Sequence, residues 1–243
     1  MSTPAGTAPE RQFVRFTLSQ RIEHLVQITS FTTLCVTGLA QRYNTSTLGD
    51  FTLGLIGGID MSRAVHRSVG LILIAEGVYH AGALAYAWVK GKLRPTMLPK
   101  LSDATDAWHM ILYFVGRRPT RARFDRYDFR QKVEYLSLLW GTVLMVATGL
   151  MMWYPLVVTR YLPGEVIPAA KAAHGGEAVL AALSILLWHM YGAHLCADVF
   201  PFDKTIFTGK ISESRMHHEH PLELERILAE SAEPAAIDKG QAT

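Results

Sequence analysis

Residues 170–199 read AKAAHGGEAVLAALSILLWHMYGAHLCADV, and residues 64–89 read AVHRSVGLILIAEGVYHAGALAYAWV. Both are apolar runs longer than the roughly 20 residues a helix needs to cross a bilayer. Each also carries a pair of histidines 14 or 15 residues apart: His174 and His189 in the one, His66 and His80 in the other. Two more runs, 133–155 and the threonine-rich 22–41, bring the expected spans to four. The expected fold class is therefore all-α and integral to a membrane, a four-transmembrane-helix bundle. The polar stretch 90–132 contains an amphipathic run, 103–116, expected to lie at the interface as a short helix. One membrane domain over 1–225 and a polar tail over 226–243, read as disordered, complete the expected organisation.

The rest of the chain agrees with a membrane setting. Of its 243 residues 49% are hydrophobic and 19% charged, and the mean hydropathy is +0.15. This is richer in apolar residues and poorer in charge than ordinary soluble domains. The two cysteines, Cys35 and Cys196, stand far apart in apolar sequence, which argues against a disulfide scaffold, a zinc ribbon or covalent attachment of a cofactor through CxxCH. A net charge of +3, with basic residues in loops that lack interleaved exposed aromatics, argues against nucleic acid as partner. The start, MSTPAGTAPE, lacks the basic and apolar regions of a cleavable signal, so the first span is expected to direct insertion. Nineteen of the 24 Lys and Arg fall before the first span, in 90–132 or after the fourth. The positive-inside rule then places both termini and the middle loop in the cytoplasm.

Packing alone does not call for ionisable side chains at membrane depth, where they are costly. Apart from His194, five of the ten histidines lie in or at the ends of spans: His24, His66, His80, His174 and His189. On a regular helix His66 and His80 are separated by roughly 21 Å of rise, and His174 and His189 by roughly 22 Å. Because the second and fourth spans run in the same direction, His66 and His174 share one level and His80 and His189 the other. Two imidazoles facing each other at one depth can hold a haem iron from both sides, so the bundle is expected to enclose two b haems. His24 competes with His80 for the second level: counted from the outer face, the two lie roughly 27 Å and roughly 25 Å deep, and depth does not separate them. A third haem stays open on this count. His194, five residues past His189, is a weaker haem, quinone or propionate candidate. His109, His217, His218 and His220 sit in polar sequence.

Several segments, taken in order, resemble the cytochrome b subunits of the formate dehydrogenase gamma type and the related thiosulfate reductase and nickel-iron hydrogenase cytochromes. They are RFTLSQRIEHL with His24, SRAVHRSVG with His66, RYDFRQKVEY leading to TGLMMWYP, AAHGGEAVLAAL with His174, LLWHMYGAHL with His189, and FTGKISESRMHHEHPLELERI. The resemblance implies two non-covalent b haems, one held at His66 and His174 and the other at His24 and His189. It also implies the cytoplasmic (inner) membrane of a bacterium or archaeon as the setting, and a quinone site on the cytoplasmic side near Asp128, where the family has Asn. His80 has no ligand counterpart in that pattern.

The expected function is that of an electron-transfer subunit without a substrate site of its own. Electrons would pass between an outer-side partner of iron-sulfur, molybdopterin, hydrogenase or multihaem cytochrome type and the quinone pool near the cytoplasmic face. Asp128, Glu134 and Glu23 are the acids to test for proton delivery. The alternative is a haem-free anchor that docks a soluble redox enzyme. A transporter would be expected to show paired broken helices from internal repeats, and no such pairs are found.

Overall fold

The computed structural model describes residues 10–240, with side chains described to residue 232. In chain order the elements are β1 (Gln12–Val14), α1 (Leu18–Arg42), α2 (Thr47–Ile56), α3 (Ile59–Val89), α4 (Leu101–Phe114), α5 (Phe129–Trp153), α6 (Pro155–Val158), α7 (Val166–Leu183), α8 (Thr205–Thr208), β2 (Lys210–Ser212), α9 (Glu213–Glu219) and α10 (Pro221–Gly240). They divide into two compact units, one made of 18–93 and 136–203, the other of 10–17, 94–135 and 204–240.

The first unit holds the apolar helices. Among the described residues three helices are long and apolar enough to cross a membrane: Ile59–Val89, Phe129–Trp153 and Val166–Leu195, the last being α7 with its continuation. They cover the second, third and fourth expected spans. The first expected span falls within α1, whose 25 residues give sufficient length. Its apolar character is diluted by Arg21, Glu23, His24, Gln27 and four threonines. The large apolar side chains point outward, as with Leu187 at 70% exposure and Trp140 at 70%. Buried positions are small or polar instead, among them Ser30, Thr37, Ala40, Ser62, Thr148 and Ala170. Lipid solvates Leu and Trp as well as a protein core would, so helices in a membrane associate through small residues and hydrogen bonds. Accordingly α1 packs along α3, α2 and α7, and Gln41 donates to Ser62 Oγ at 3.1 Å at the α1–α3 contact.

Between the first two long helices the sequence had offered only a connection, yet 47–56 is helical. Ser46 caps α2 by accepting from Gly49 N at 3.0 Å. Its other end turns through Gly57 (φ +100°) and Gly58 (φ +95°), while Gly58 N reaches back to Leu53 O at 2.8 Å. Two successive residues at positive φ need glycine.

The second unit is built from the polar segments. β1 and β2 pair antiparallel, with Phe13 opposite Ile211, and these two residues form a small core with Met216 and Leu224. Glu223, 3% exposed, accepts from both Arg15 and Arg126, and these two arginines each donate to the other's backbone carbonyl. Arg226 binds Asp125 at 2.9 Å. The buried His220 bonds through Nδ1 to Asp125 O at 2.9 Å. On α4, close to the expected amphipathic run, Asp103 binds Lys132 at 2.6 Å. Burial alone would raise the Asp103 carboxyl, but the Lys132 ammonium and the Lys100 amide hold it below the usual range. The stretch from 226, expected to be a polar disordered tail, lies in α10 as far as Gly240, and 241–243 fall outside the described residues.

Candidate functional site

The rings of His66 on α3 and His174 on α7 stand with centroids 6.3 Å apart and planes at 63°. Their Nδ1 atoms are bound to threonines: Thr37 Oγ1 lies 2.8 Å from His66 Nδ1 and Thr148 Oγ1 lies 2.9 Å from His174 Nδ1. Each ring is thus anchored at Nδ1, leaving Nε2 for a ligand. A metal ion binds imidazole nitrogen at about 2 Å, and the ring centroid lies about 1 Å further on, so an ion shared by two opposed rings separates their centroids by roughly 6 Å. The observed spacing fits that requirement. Among the described residues no group of three or more His, Cys, Asp or Glu could hold an ion. A two-imidazole donor set leaves the remaining coordination positions to a bound group, and a macrocycle is one that can fill them. Glycine leaves room at both rings: a Cβ at Gly38 would stand 3.0 Å from His66 Cε1, and one at Gly149 3.4 Å from His174 Cε1. The Arg42 guanidinium sits directly against Gly175, beside His174, and Arg67 lies over the Trp153 ring at 5.4 Å.

A second pair repeats the spacing. His24 on α1 and His189 have ring centroids 6.3 Å apart and planes at 45°. His189 ends a π-wound continuation of α7, Ser184–His189, which is followed by a second π segment, Tyr191–Leu195. On a regular helix His189 would be turned about 60° from His174. Hydrogen bonding from i to i+5 changes that phase, and such π-bulges are frequent at functional sites.

His80 is placed differently. Its Nδ1 lies 2.8 Å from Glu23 Oε2, Glu23 Oε1 accepts from Ser19 Oγ at 2.9 Å, and Ser19 Oγ is 3.0 Å from Tyr79 OH. The alternative between His24 and His80 meets this geometry: His24 faces His189, whereas His80 is bonded to Glu23. One turn before His80 comes Glu76, half-buried, an intramembrane acid that sequence reasoning passed over. His194 is buried and stacks on Phe202 with centroids 4.3 Å apart, and its Nδ1 has no hydrogen-bond partner among the described residues.

The two acids expected near a quinone belong to the other unit. Asp128 caps α5, accepting from Gln131 N at 2.9 Å while its own amide donates to Gln131 Oε1 at 3.1 Å. It also binds Arg130 at 2.6 Å. Asp-x-x-Gln is the reciprocal capping pattern of a helix start, a signal readable in RYDFRQKVEY. Glu134 is half-buried further along α5.

Sequence reasoning also missed Thr37 and Thr148. The readable signal was the tripeptide Thr-Gly-Leu, present at 37–39 and again at 148–150.

Residues 15–199 match the family model of prokaryotic cytochrome b561, a range that includes both histidine pairs, His80 and His194. No match is found among the curated proteins.

Proposed function

Because the chain belongs to the prokaryotic cytochrome b561 family, and is thus a haem-binding membrane cytochrome of electron transfer, we propose that it carries two b haems, one held by His66 and His174 and one by His24 and His189. The observation that carries this reading is the 6.3 Å centroid spacing found at both pairs. Bound there, haem b supplies one-electron redox chemistry. The chain sets the ligation and the surroundings. His66 and His174 present Nε2, and Arg42 and Arg67 put positive charge beside that pair to neutralise the propionates. Glu23 Oε2 and His80 Nδ1 hold a proton between them beside the second pair. In this reading His80 is a proton-holding group, and His194 a contact for a propionate or a quinone headgroup. For quinone exchange the acids to test are Asp128, Glu134 and Glu23.

We assign four crossings, with both termini and 90–132 cytoplasmic. The support is twofold. The described segments 10–17, 94–135 and 204–240 form one compact unit, and a compact unit lies on one side of a membrane. A chain that leaves that unit at 18, returns at 94 and crosses through α3 must cross a second time, which assigns the crossing to α1. The same segments hold 16 of the 24 Lys and Arg, which points to the cytoplasmic side. Members of such families are membrane subunits of oxidoreductase complexes, and this chain is proposed to link an outer-side redox partner to the quinone pool.

A pyridine haemochrome assay on the purified chain tests the reading: two haem b per chain are expected. One haem would remove the second site, and a colourless protein would leave only an anchor.

A further inference from the structure

We propose that Thr37 and Thr148 are positioning residues that fix both axial imidazoles of one haem in the same tautomer and strengthen them as ligands. The proposal rests on the reading of His66 and His174 as the ligands of a common iron. Each threonine is already committed as a donor within its own helix: Thr37 Oγ1 donates to Thr33 O at 2.7 Å, and Thr148 Oγ1 donates to Leu144 O at 2.6 Å. A hydroxyl has one proton, so towards the histidine it can only accept. His66 Nδ1 at 2.8 Å and His174 Nδ1 at 2.9 Å must therefore carry the proton, and the lone pair is left on Nε2.

Helix back-bonding alone does not account for the pattern. Thr29, Thr33, Thr52 and Thr159 donate to carbonyls in the same way, but among the described contacts Thr37 and Thr148 are the threonines whose hydroxyl meets a histidine, and both are buried. The glycine that follows each, Gly38 and Gly149, faces the Cε1 edge of the same ring. Thus two Thr-Gly steps, on α1 and α5, form matching cradles for rings on α3 and α7. A hydrogen bond from the distal ring nitrogen raises the basicity of a metal-binding imidazole, and its loss typically costs about 10–100-fold in metal affinity. A more basic imidazole favours ferric over ferrous iron, so the two bonds hold the potential of this haem down.

Thr37→Val and Thr148→Val, with the corresponding Ser variants and Thr33→Val as control, test this in the full-length chain in nanodiscs. The Val variants should raise the midpoint potential of one and the same haem and shift its low-spin EPR g-values. A tenfold loss of ferric over ferrous affinity equals a rise of about 59 mV for one electron. The Ser variants should restore both readouts, and Thr33→Val should change neither. An unchanged potential in a Val variant that keeps its haem, or no restoration by Ser, would overturn the proposal.

Imidazole ¹⁵N shifts in the haem-depleted chain give a readout independent of haem. His66 and His174 should be Nδ1–H tautomers in the wild type and mixed in the Val variants. An Nε2–H tautomer in the wild type would also overturn it. If the chain bound no haem, these shifts would still decide on the threonines while the haemochrome assay decided against the proposed function.

Discussion

The two histidine pairs share a spacing but differ in how they are held. His66 and His174 project from regular helix, each tied to a buried threonine and faced by a glycine. His24 and His189 depend on a π-wound stretch for their alignment, and protonatable neighbours surround them: Glu23 bonded to His80, and His194 close enough to interact electrostatically with both rings. The difference teaches that ring spacing can be met in two ways. One pair is immobilised by its surroundings, as a relay with a fixed potential requires. The other sits in an environment able to hold protons, as the proposed neighbour of a proton-coupled quinone would need.

The strongest way to break this comparison is to remove a ligand. His66→Ala and His174→Ala should each eliminate one haem of two, and the same one, seen as loss of the same low-spin EPR signal and the same α-band component. If the two variants lost spectroscopically different signals, the pairing across α3 and α7 would be wrong. Of the second pair, His24→Ala should eliminate the other low-spin signal, whereas His80→Ala should leave two haems in place and shift only the potential of the second. The reverse outcome would make His80 the ligand.

Sidedness sharpens the comparison, since it decides which pair faces which compartment. A cysteine engineered at Arg121 should resist an impermeant maleimide in intact cells and react after permeabilisation. Reaction in intact cells would invert the assignment and put His24 and His189 on the outer side.

The glycines grade the effect further. Gly38→Ala brings a methyl to 3.0 Å from His66 Cε1, tighter than the 3.4 Å met by Gly149→Ala at His174. Gly38→Ala should therefore perturb the low-spin signal more. Equal or reversed shifts would mean that the Thr-Gly steps do not bound the rings.

Much of this arrangement was legible in sequence. Lengths of apolar sequence gave the three long helices, and the rule that ionisable groups at membrane depth have a reason drew attention to the histidines before any geometry was known. Depth counting could not choose between His24 and His80, because it assumes regular helix and reports only rise. The choice depends on azimuth, which the π winding at 184–195 alters, and on the bond between His80 and Glu23, which joins residues 57 positions apart. Thr37 and Thr148 look like ordinary polar residues of a membrane helix, and only the ring opposite each sets it apart from Thr29 or Thr33. Likewise the polar flanks read as loops and tail, because their assembly around Glu223 depends on three distant segments meeting.

The smallest effect expected concerns that polar unit, and it serves as a control for both pairs. Burial, and the Arg15 guanidinium nearby, push the His220 imidazole below its ordinary value of 6.5. Glu219 and Glu223 act in the opposite direction without outweighing them. His220 is thus neutral when folded, while the unfolded chain takes up its proton near pH 6.5. The stability it contributes is complete above about pH 6.5 and is lost as pH falls through the depressed folded value. Asp125, held low by its Arg226 and backbone bonds against the effect of burial, should give way only at distinctly lower pH. Protection factors at residues 210–228, that is, exchange corrected for the intrinsic slowing of base-catalysed exchange, should therefore fall as the pH is lowered from 7 to 5, and His220→Gln should flatten that dependence. Neither histidine pair takes a ligand from this unit, so both low-spin signals should persist over the same range. A signal lost in step with the protection at 210–228 would show that one of the pairs is not held by its helices alone.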